Sequence, residues 1–285
     1  MSSSVEGDDG NLSLDSIFIE PPRPPSPEPT IAVRHSRQQS STHWKTIVVR
    51  LIGSHPLWGH YLWNASRSLA TYLQRAPELY DGRTVLELGA GGGLPSLVVA
   101  KCGARKVVLT DYPDKALVDN MIHNVERNVE PERRDSIHVL GYIWGRPVEP
   151  LLLAAGELVK DTDTVTPGSE SGLGSGSGSG AGAGGGFDLI LLSDLIFNHS
   201  QHRALLTTCE GAIAPDGCVL VFYTHHRPHL AQRDMEFFEL ANETGWKCEK
   251  VWTERFPPMF PEDSGEEEIR STVHGWKVTR GRDVV

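Results

Sequence analysis

The stretch Val85-Leu-Glu-Leu-Gly-Ala-Gly-Gly-Gly-Leu94, followed by Val107-Val-Leu-Thr-Asp111, predicts a strand, a glycine turn, a helix and a second strand ending in a carboxylate. Gly89 and Gly91 allow the backbone to turn sharply and approach a ligand, because a residue without Cβ tolerates positive φ. Asp111 stands where a carboxylate at the tip of the second strand can bind both hydroxyls of a ribose. The stretch therefore predicts a βαβ unit that binds a nucleoside-containing cofactor.

The same loop narrows the choice of cofactor. A dinucleotide fingerprint requires glycine at its sixth position, where this chain has Leu94, so a pyrophosphate cofactor is disfavoured. Glu87 places a carboxylate beside the turn, which suits a cationic ligand without phosphate. A structural hydrogen bond to the turn is the alternative role for Glu87. S-adenosylmethionine has the required character and is the expected cofactor.

Composition limits the class of protein. The chain of 285 residues carries a net charge of −10, and no cluster of lysine and arginine indicates direct binding of nucleic acid. Its apolar runs are shorter than the roughly 18 residues that span a bilayer, so no membrane partner is expected. The four cysteines form no CxxC pair, which favours free thiols in a reducing compartment. We expect a soluble, cytoplasmic, monomeric protein.

Two segments have the composition of unfolded chain. Residues 1–42 are acidic and rich in serine and proline, which predicts a disordered arm. Residues 161–186 are rich in serine, glycine and alanine, which predicts a flexible insertion. Because Phe187–Ser193 continues directly as a buried strand, the insertion interrupts one domain that spans residues 43–285.

Helices and strands alternate along this domain. An apolar helical face is predicted to begin just after Pro56, on Trp58, Leu62, Ala65, Leu69 and Tyr72. Strands are predicted at Thr84–Leu88, Lys106–Asp111, Ser136–Leu140, Phe187–Ser193 and Cys218–Tyr223. Helices are predicted at Pro95–Cys102, Lys115–Asn128 (capped by Asp114), Gln201–Ile213 and Gln232–Thr244. A late pair, Lys247–Trp252 and Thr272–Val278, predicts an antiparallel hairpin. The fold class is α/β: a Rossmann-like three-layer sandwich with a mostly parallel sheet.

Four motifs together resemble a known family. Glu87-Leu-Gly-Ala-Gly-Gly-Gly93, Asp111, Trp144 and Ser193-Asp-Leu-Ile-Phe197 are similar to the seven-strand S-adenosylmethionine-dependent methyltransferases, in particular the branch that methylates protein lysines. The run Leu51-Ile-Gly-Ser-His-Pro-Leu-Trp-Gly-His-Tyr-Leu-Trp-Asn-Ala65 resembles the fungal enzymes that methylate the N-terminus and an adjacent lysine of translation elongation factor 1-alpha. These were once regarded as nicotinamide methyltransferases. The resemblance covers roughly residues 46–160 and 187–280.

The resemblance implies a set of cofactor contacts. They are Trp63 on the entry helix, the backbone of Gly89, Ala90 and Gly91, Asp111 to the ribose, Trp144 near the adenine, and Ser193 at the tip of the fourth core strand. Strand ends in such a sheet point toward the cofactor crevice, which makes the last three roles physically reasonable. For both tryptophans, packing in the core is the alternative.

The acceptor side is expected to follow the fourth core strand. Asp194 and Asn198 are the candidates for orienting an acceptor amine, with Phe197 as an apolar wall. A capping role is the alternative for Asp194. The segment Tyr223–His226 faces the site by topology and is a candidate source of a proton acceptor. No metal site is expected, because the histidines at 225, 226 and 229 lack a matching acidic or cysteine set and are expected to be solvated.

Three functions remain open at this point. The first is an N-methyltransferase for the N-terminus and adjacent lysine of elongation factor 1-alpha, and the second is an N-methyltransferase for a small acceptor such as nicotinamide. The third is a noncatalytic docking module, which has no physical need for the glycine loop, Asp111 or Ser193-Asp194. The first two share the whole cofactor half, so the sequence alone does not separate them.

Overall fold

Nine strands lie within residues 27–36, 44–156 and 185–281, the part of the chain that the computed structural model describes. They are β1 (Thr30–His35), β2 (Thr46–Leu51), β3 (Thr84–Leu88), β4 (Lys106–Asp111), β5 (Ile137–Gly141), β6 (Phe187–Ser193), β7 (Ile213–Thr224), β8 (Trp246–Arg255) and β9 (Thr272–Arg280). The strands β1 and β2 pair with each other as a separate antiparallel sheet.

The other seven strands form one sheet in the order β5-β4-β3-β6-β7-β9-β8. Neighbours from β5 to β7 run parallel, whereas β9 runs antiparallel to both β7 and β8. Every residue of β3 is buried, as expected of a strand covered on both faces. Because parallel strands end at the same edge, this arrangement brings the carboxyl ends of β3, β4, β6 and β7 together.

Helices cover both faces of the sheet. They are α1 (Asn64–Arg75), α2 (Leu94–Lys101), α3 (Lys115–Asn128), α4 (Pro131–Arg134), α5 (Glu149–Ala155), α6 (His202–Ala212), α7 (Ala231–Glu243) and α8 (Glu267–Ser271). One apolar core forms between the sheet and α1, α2 and α3, and a second forms between the sheet and α5, α6 and α7. None of these helices has both the length and the apolar surface required to cross a membrane.

Asparagine side chains on α3 bind the open edge of β2. The side chain of Asn128 accepts a hydrogen bond from the N–H of Val48 and donates one to its carbonyl, both at 2.8 Å. Asn124 makes the same two bonds with Arg50, also at 2.8 Å. A side-chain amide has one acceptor and donors like a peptide group, so these residues occupy the place of a neighbouring strand. We call Asn124 and Asn128 the asparagine ladder.

The ladder also connects the β1–β2 hairpin to the glycine turn. The amide of Asn124 donates a second hydrogen bond to the carbonyl of Gly92, at 3.0 Å. The backbone of Gly92 lies so close to β2 that an added Cβ would stand 2.5 Å from a methyl group of Val49. The hairpin therefore packs directly on the loop that follows β3.

The structure confirms the predicted sandwich and the C-terminal hairpin, and Asp114 caps α3 by accepting from the N–H of Ala116. Two predictions at the N-terminal side of the domain were wrong. Residues 30–35 of the predicted disordered arm form β1, because they can pair with β2. The entry helix begins at Asn64 rather than just after Pro56, since Trp58 has a φ of +62° that a helix does not accommodate. The rest of the arm, apart from residues 27–29 and 36, and the insertion up to residue 184 lie outside the described residues.

Candidate active site

A cavity of about 980 Å³ opens at the carboxyl ends of the central parallel strands. Ligand sites commonly measure about 300–1,000 Å³, so this one has room for a cofactor and for part of an acceptor. All nine residues predicted for the site line it: Trp63, Gly89, Ala90, Gly91, Asp111, Trp144, Ser193, Asp194 and Asn198. Residues from five separate stretches of sequence are thus brought to one place.

The glycine turn after β3 has the positive φ angles predicted for it. Gly89 has a φ of +60° and Gly91 one of +54°. A Cβ on Gly89 would lie 2.6 Å from the side chain of Leu195, so this glycine is required for packing. A Cβ on Gly91 would meet nothing within 4 Å, which means that its backbone faces open space in the cavity. The turn exposes backbone to a ligand at Gly91.

Asp111 ends β4 and is fixed by backbone donors. One carboxylate oxygen accepts from the N–H of Gly91 and the other from the N–H of Tyr112, both at 2.7 Å. Burial raises the pKa of Asp111, while these two hydrogen bonds act in the opposite direction. Each oxygen keeps a further lone pair, so the held carboxylate can still accept from the hydroxyls of a ribose.

Glu87 has the structural role that the sequence offered as its alternative. Its side chain is fully buried, does not line the cavity, and accepts from the N–H of Ser96 in the first turn of α2. Burial raises the pKa of Glu87 to about 8, because removal of the carboxylate from water outweighs the hydrogen bonds from Ser96. At neutral pH it is mainly uncharged, so it does not supply the negative charge beside a cationic ligand that was one of its predicted roles.

The two predicted tryptophans, Trp63 and Trp144, are half-buried and both line the cavity. Trp63 is the residue before α1, and its ring packs against Tyr61, Phe260 and His226 with centroid distances of 4.9–6.0 Å. Trp144 lies beside the glycine turn, with its ring 3.1 Å from the position of a Cβ on Gly89. Each tryptophan therefore combines packing with a face toward the cavity.

The segment after β6 forms a second polar region of the cavity. Asp194 is buried and has a φ of +60°, a conformation that non-glycine residues rarely adopt. Its carboxylate accepts from His226 rather than from a helix N-terminus, so helix capping is not its role. Phe197 is 43% exposed at the rim, and Asn198 accepts from the hydroxyl of Ser200 at 3.0 Å.

Two of the three loop histidines are not solvated as expected. His226 contacts Asp194 at 2.9 Å, and His225 contacts Asp234 at 2.7 Å, which also binds His199. Only His229 of the predicted trio is exposed. The described residues contain no cluster of three potential ligands able to hold a metal ion. Sequence reasoning missed the His226–Asp194 contact because 32 residues separate the partners and no spacing rule joins two loops.

The polar character of the cavity fits S-adenosylmethionine. Among the described residues that line it are Asp111, Asp114 and Asp194, and none is lysine or arginine. The hydroxyl of Ser193 is buried at the wall without a hydrogen-bond partner, which leaves it available to a polar ligand. Carboxylates and the absence of a fixed cation around the cavity favour a positively charged sulfonium over a phosphate-bearing cofactor.

Comparisons with known proteins agree with this chemistry. Residues 54–165 match the model of a family described as lysine methyltransferase. The chain is 44% identical to EFM7 of Schizosaccharomyces pombe, over 92% of this chain and 94% of that protein. It is 41% identical to EFM7 of Cryptococcus neoformans var. neoformans serotype D, over 98% and 92% of the two chains. Both relatives are named protein N-terminal and lysine N-methyltransferase.

The fold and the site therefore define a methyltransferase. Within that class, the chain belongs to the EFM7 family of protein N-terminal and lysine N-methyltransferases. Membership in an enzyme family removes the noncatalytic alternative. The fold is also similar to that of SMU.776, a protein assigned as a methyltransferase and solved in complex with SAH, with a TM-score of 0.50 and 13% identity over 81% of this chain and 53% of that one.

Proposed function

We propose that this enzyme transfers methyl groups from S-adenosylmethionine to the N-terminal amine and an adjacent lysine of translation elongation factor 1-alpha. The observation that carries the proposal is the cavity, which is lined by three carboxylates and by no lysine or arginine among the described residues. Such a lining suits a cationic cofactor and an acceptor that arrives as an ammonium. The names of the relatives support the two acceptor types. The resemblance of Leu51–Ala65 to the fungal enzymes supports the protein target.

In the cofactor half, each residue has a role that its position supports. The Gly91 backbone lies open to the ligand, Asp111 accepts from the ribose hydroxyls, and the free hydroxyl of Ser193 takes a polar group. Trp63 and Trp144 provide apolar walls. S-adenosylmethionine supplies an electrophilic methyl group on a sulfonium, and the contribution of the protein is to hold the two reactants in line and exclude water.

In the acceptor half, Asp194 and Asn198 orient the amine while Phe197 supports the chain that carries it. The attacking amine must be neutral, and an α-amino group with a pKa of about 7.7–8.0 loses its proton more readily than a lysine at about 10.4. We therefore expect the terminus to react first, and the lysine to enter after the methylated terminus has moved past the transfer position. A translation factor as substrate places the proposed reaction in the cytoplasm.

The order of reaction provides the test. Recombinant elongation factor 1-alpha with a free or an acetylated N-terminus is incubated with the enzyme and labelled cofactor, and both sites are followed by mass spectrometry. Acetylation should abolish terminal methylation and sharply reduce methylation of the adjacent lysine. Equal lysine methylation on both substrates would refute the terminus-first order, while no methylation of either would refute the protein target. Transfer to free nicotinamide with comparable efficiency would favour the small-acceptor enzyme.

A further inference from the structure

A half-buried histidine, His226, holds the carboxylate that is assigned to the acceptor amine. His226 and Asp194 meet through Nε2 and Oδ2 at 2.9 Å, and their side chains are 15% and 2% exposed. Because a carboxylate only accepts hydrogen bonds, Nε2 of His226 must carry the proton and donate it. The imidazole thereby fixes the position of one carboxylate oxygen of Asp194, Oδ2.

The backbone of Asp194 shows that this orientation is imposed by its surroundings. Its φ of +60° is unfavourable for a residue with a Cβ and persists only where neighbouring contacts determine it. The N–H of Asp194 donates to the carbonyl of Phe222 at 2.7 Å, and its Oδ1 lies 3.4 Å from the N–H of Thr224. Together with His226, these contacts from the end of β7 set the direction of the carboxylate.

His226 reaches the cavity through other residues. It does not line the cavity, whereas Asp194 and Trp63 do. The ring of Trp63 packs edge-on against the imidazole, with centroids 4.9 Å apart. Removal of the imidazole would therefore release the Asp194 carboxylate, whereas Trp63 keeps its contacts with Tyr61 and Phe260 and no group that a ligand touches is removed.

We propose that His226 is a positioning residue of the acceptor half: it directs the Asp194 carboxylate toward the N–H of the incoming amine. The lone pair of the amine nitrogen then faces the methyl group. This inference rests on the proposed function, since it takes Asp194 as the residue that receives the amine. No bond to His226 forms or breaks in the reaction, and its effect is on the geometry and charge of its partner.

Carboxylates from three parts of the chain make the charge of the His226–Asp194 pair depend on pH. Burial opposes charge on the ring, but Asp194 at the end of β6, Asp234 on α7 and Asp263 in the loop before α8 outweigh it and raise the pKa of His226. Below that pKa, an imidazolium offsets the charge of Asp194. As the pH rises through the pKa of His226, the imidazole loses its charge and the pair becomes negative. A negative pair attracts an amine that is still protonated more strongly.

The test compares two substitutions of His226 with a matched control. In His226→Ala the hydrogen bond is lost, and kcat with elongation factor 1-alpha should fall about 100-fold, the scale of effect expected when a reacting group is misplaced by 1 Å. Affinity for S-adenosylhomocysteine, measured by calorimetry, should stay at the wild-type value. In His226→Gln the side-chain amide can donate in place of Nε2, so most of kcat should return while the imidazole step in the pH profile disappears. His229→Ala, in the exposed neighbouring turn, should match wild type.

Several outcomes would overturn the inference. The first is a kcat and pH profile of His226→Ala that match wild type. The second is a folded His226→Gln whose kcat does not recover. The third is a loss of S-adenosylhomocysteine affinity in His226→Ala as large as the loss of kcat. The pairing is also tested without an acceptor, by following the imidazole of His226 by NMR. The substitution Asp194→Asn should lower the pKa of His226, and an unchanged titration would refute the inference whatever the acceptor. If wild type methylates nicotinamide instead of the elongation factor, the proposed function fails and the same kcat comparison is made with nicotinamide.

Discussion

At the scale of single residues, Asp111 offers the most direct test of the cofactor half. In Asp111→Asn the amide oxygen can still accept from Gly91, but the charge that strengthens a bond to a ribose hydroxyl is gone. A hydrogen bond to a charged group contributes about 1.5–3 kcal/mol, so affinity for S-adenosylhomocysteine should fall roughly 10- to 100-fold. Calorimetry measures this, with circular dichroism to show that the protein is folded. Asp119→Ala, an exposed carboxylate on α3, should bind as wild type does.

Glu87 predicts an effect of pH on stability. Its pKa is raised from 4.5 to about 8 in the folded protein, so the folded state retains a proton that the unfolded state releases. Its contribution to stability is therefore fully present below pH 4.5 and is lost as the pH rises toward and through 8. Glu87→Gln cannot titrate. The free energy of unfolding of this variant, relative to wild type, should increase between pH 5 and pH 8.

Urea unfolding at several pH values measures that difference. The control is Glu126→Gln, which makes the same change of side chain at an exposed position on α3. A pH-independent difference for Glu87→Gln would show that the buried carboxyl group is charged in the folded protein at pH 7.

The sequence could identify the site residues that belong to one short motif, but not a contact between residues from two distant loops. Gly89, Gly91 and Asp111 belong to one βαβ unit whose spacing has a geometric meaning, and the structure places all three at the cavity. Asp194 and His226 leave two different strands of the sheet, and their contact depends on the path of both loops. No local pattern describes such a contact, so it could only be found from coordinates.

At the scale of elements, strands and helices with a clear period were predicted within a few residues. The predicted strand Cys218–Tyr223 begins five residues after the start of β7, and α5 was not predicted. Two further exceptions lie at the N-terminal side of the site. The entry helix begins late because Trp58 takes a positive φ and the aromatic rings of Trp58 and Tyr61 pack on Phe260 instead of following a helical face. The strand β2 was missed because part of its pairing comes from the asparagine ladder, which resembles an ordinary polar helix face in sequence.

The ladder gives a prediction for stability. Asn124 is buried and hydrogen-bonds the N–H and carbonyl of Arg50 and the carbonyl of Gly92. In Asn124→Ala the N–H of Arg50 and the carbonyl of Gly92 lose this partner, whereas the carbonyl of Arg50 still accepts from the amide of Asn120 at 2.9 Å. Buried unpaired groups cost about 1–3 kcal/mol each, so the free energy of unfolding should fall by about 2–4 kcal/mol. Denaturant unfolding measures the loss. Glu126→Ala, exposed on the same helix, should change stability by less than about 0.5 kcal/mol.

At the scale of the whole molecule, the chain on both sides of the insertion belongs to one sheet. The strand β6 lies between β3 and β7, so residues after the insertion complete the core formed before it. Gly186, the last residue of the predicted insertion, packs on the domain: its carbonyl accepts from the hydroxyl of Thr84, and its backbone lies against β7. Gly186 is therefore part of the packed domain.

Replacement of residues 161–184 by a short Gly/Ser linker should leave the enzyme active. Loop closure depends weakly on length, about 0.6 kcal/mol for each doubling, so the shortened protein should be as stable or slightly more stable. Thermal unfolding, S-adenosylhomocysteine affinity and methyl transfer are measured together. Loss of transfer with unchanged affinity would mean that the segment contributes to acceptor binding, whereas loss of stability would mean that it packs on the domain.

The link from Asn124 to Gly92 has a further consequence for how the molecule responds to its ligand. The side chain of Asn124 bonds both the glycine turn and β2, so a ligand that stiffens the turn should also slow amide hydrogen exchange at Arg50, which does not line the cavity. Exchange measured with and without S-adenosylhomocysteine should show this protection, and Asn124→Ala should remove it. Coupling between two binding sites is reciprocal. A binder on the exposed side chains of Ile31 and Val33 that stabilises β2 would therefore increase the affinity for the cofactor by the same factor by which the cofactor increases the affinity for the binder.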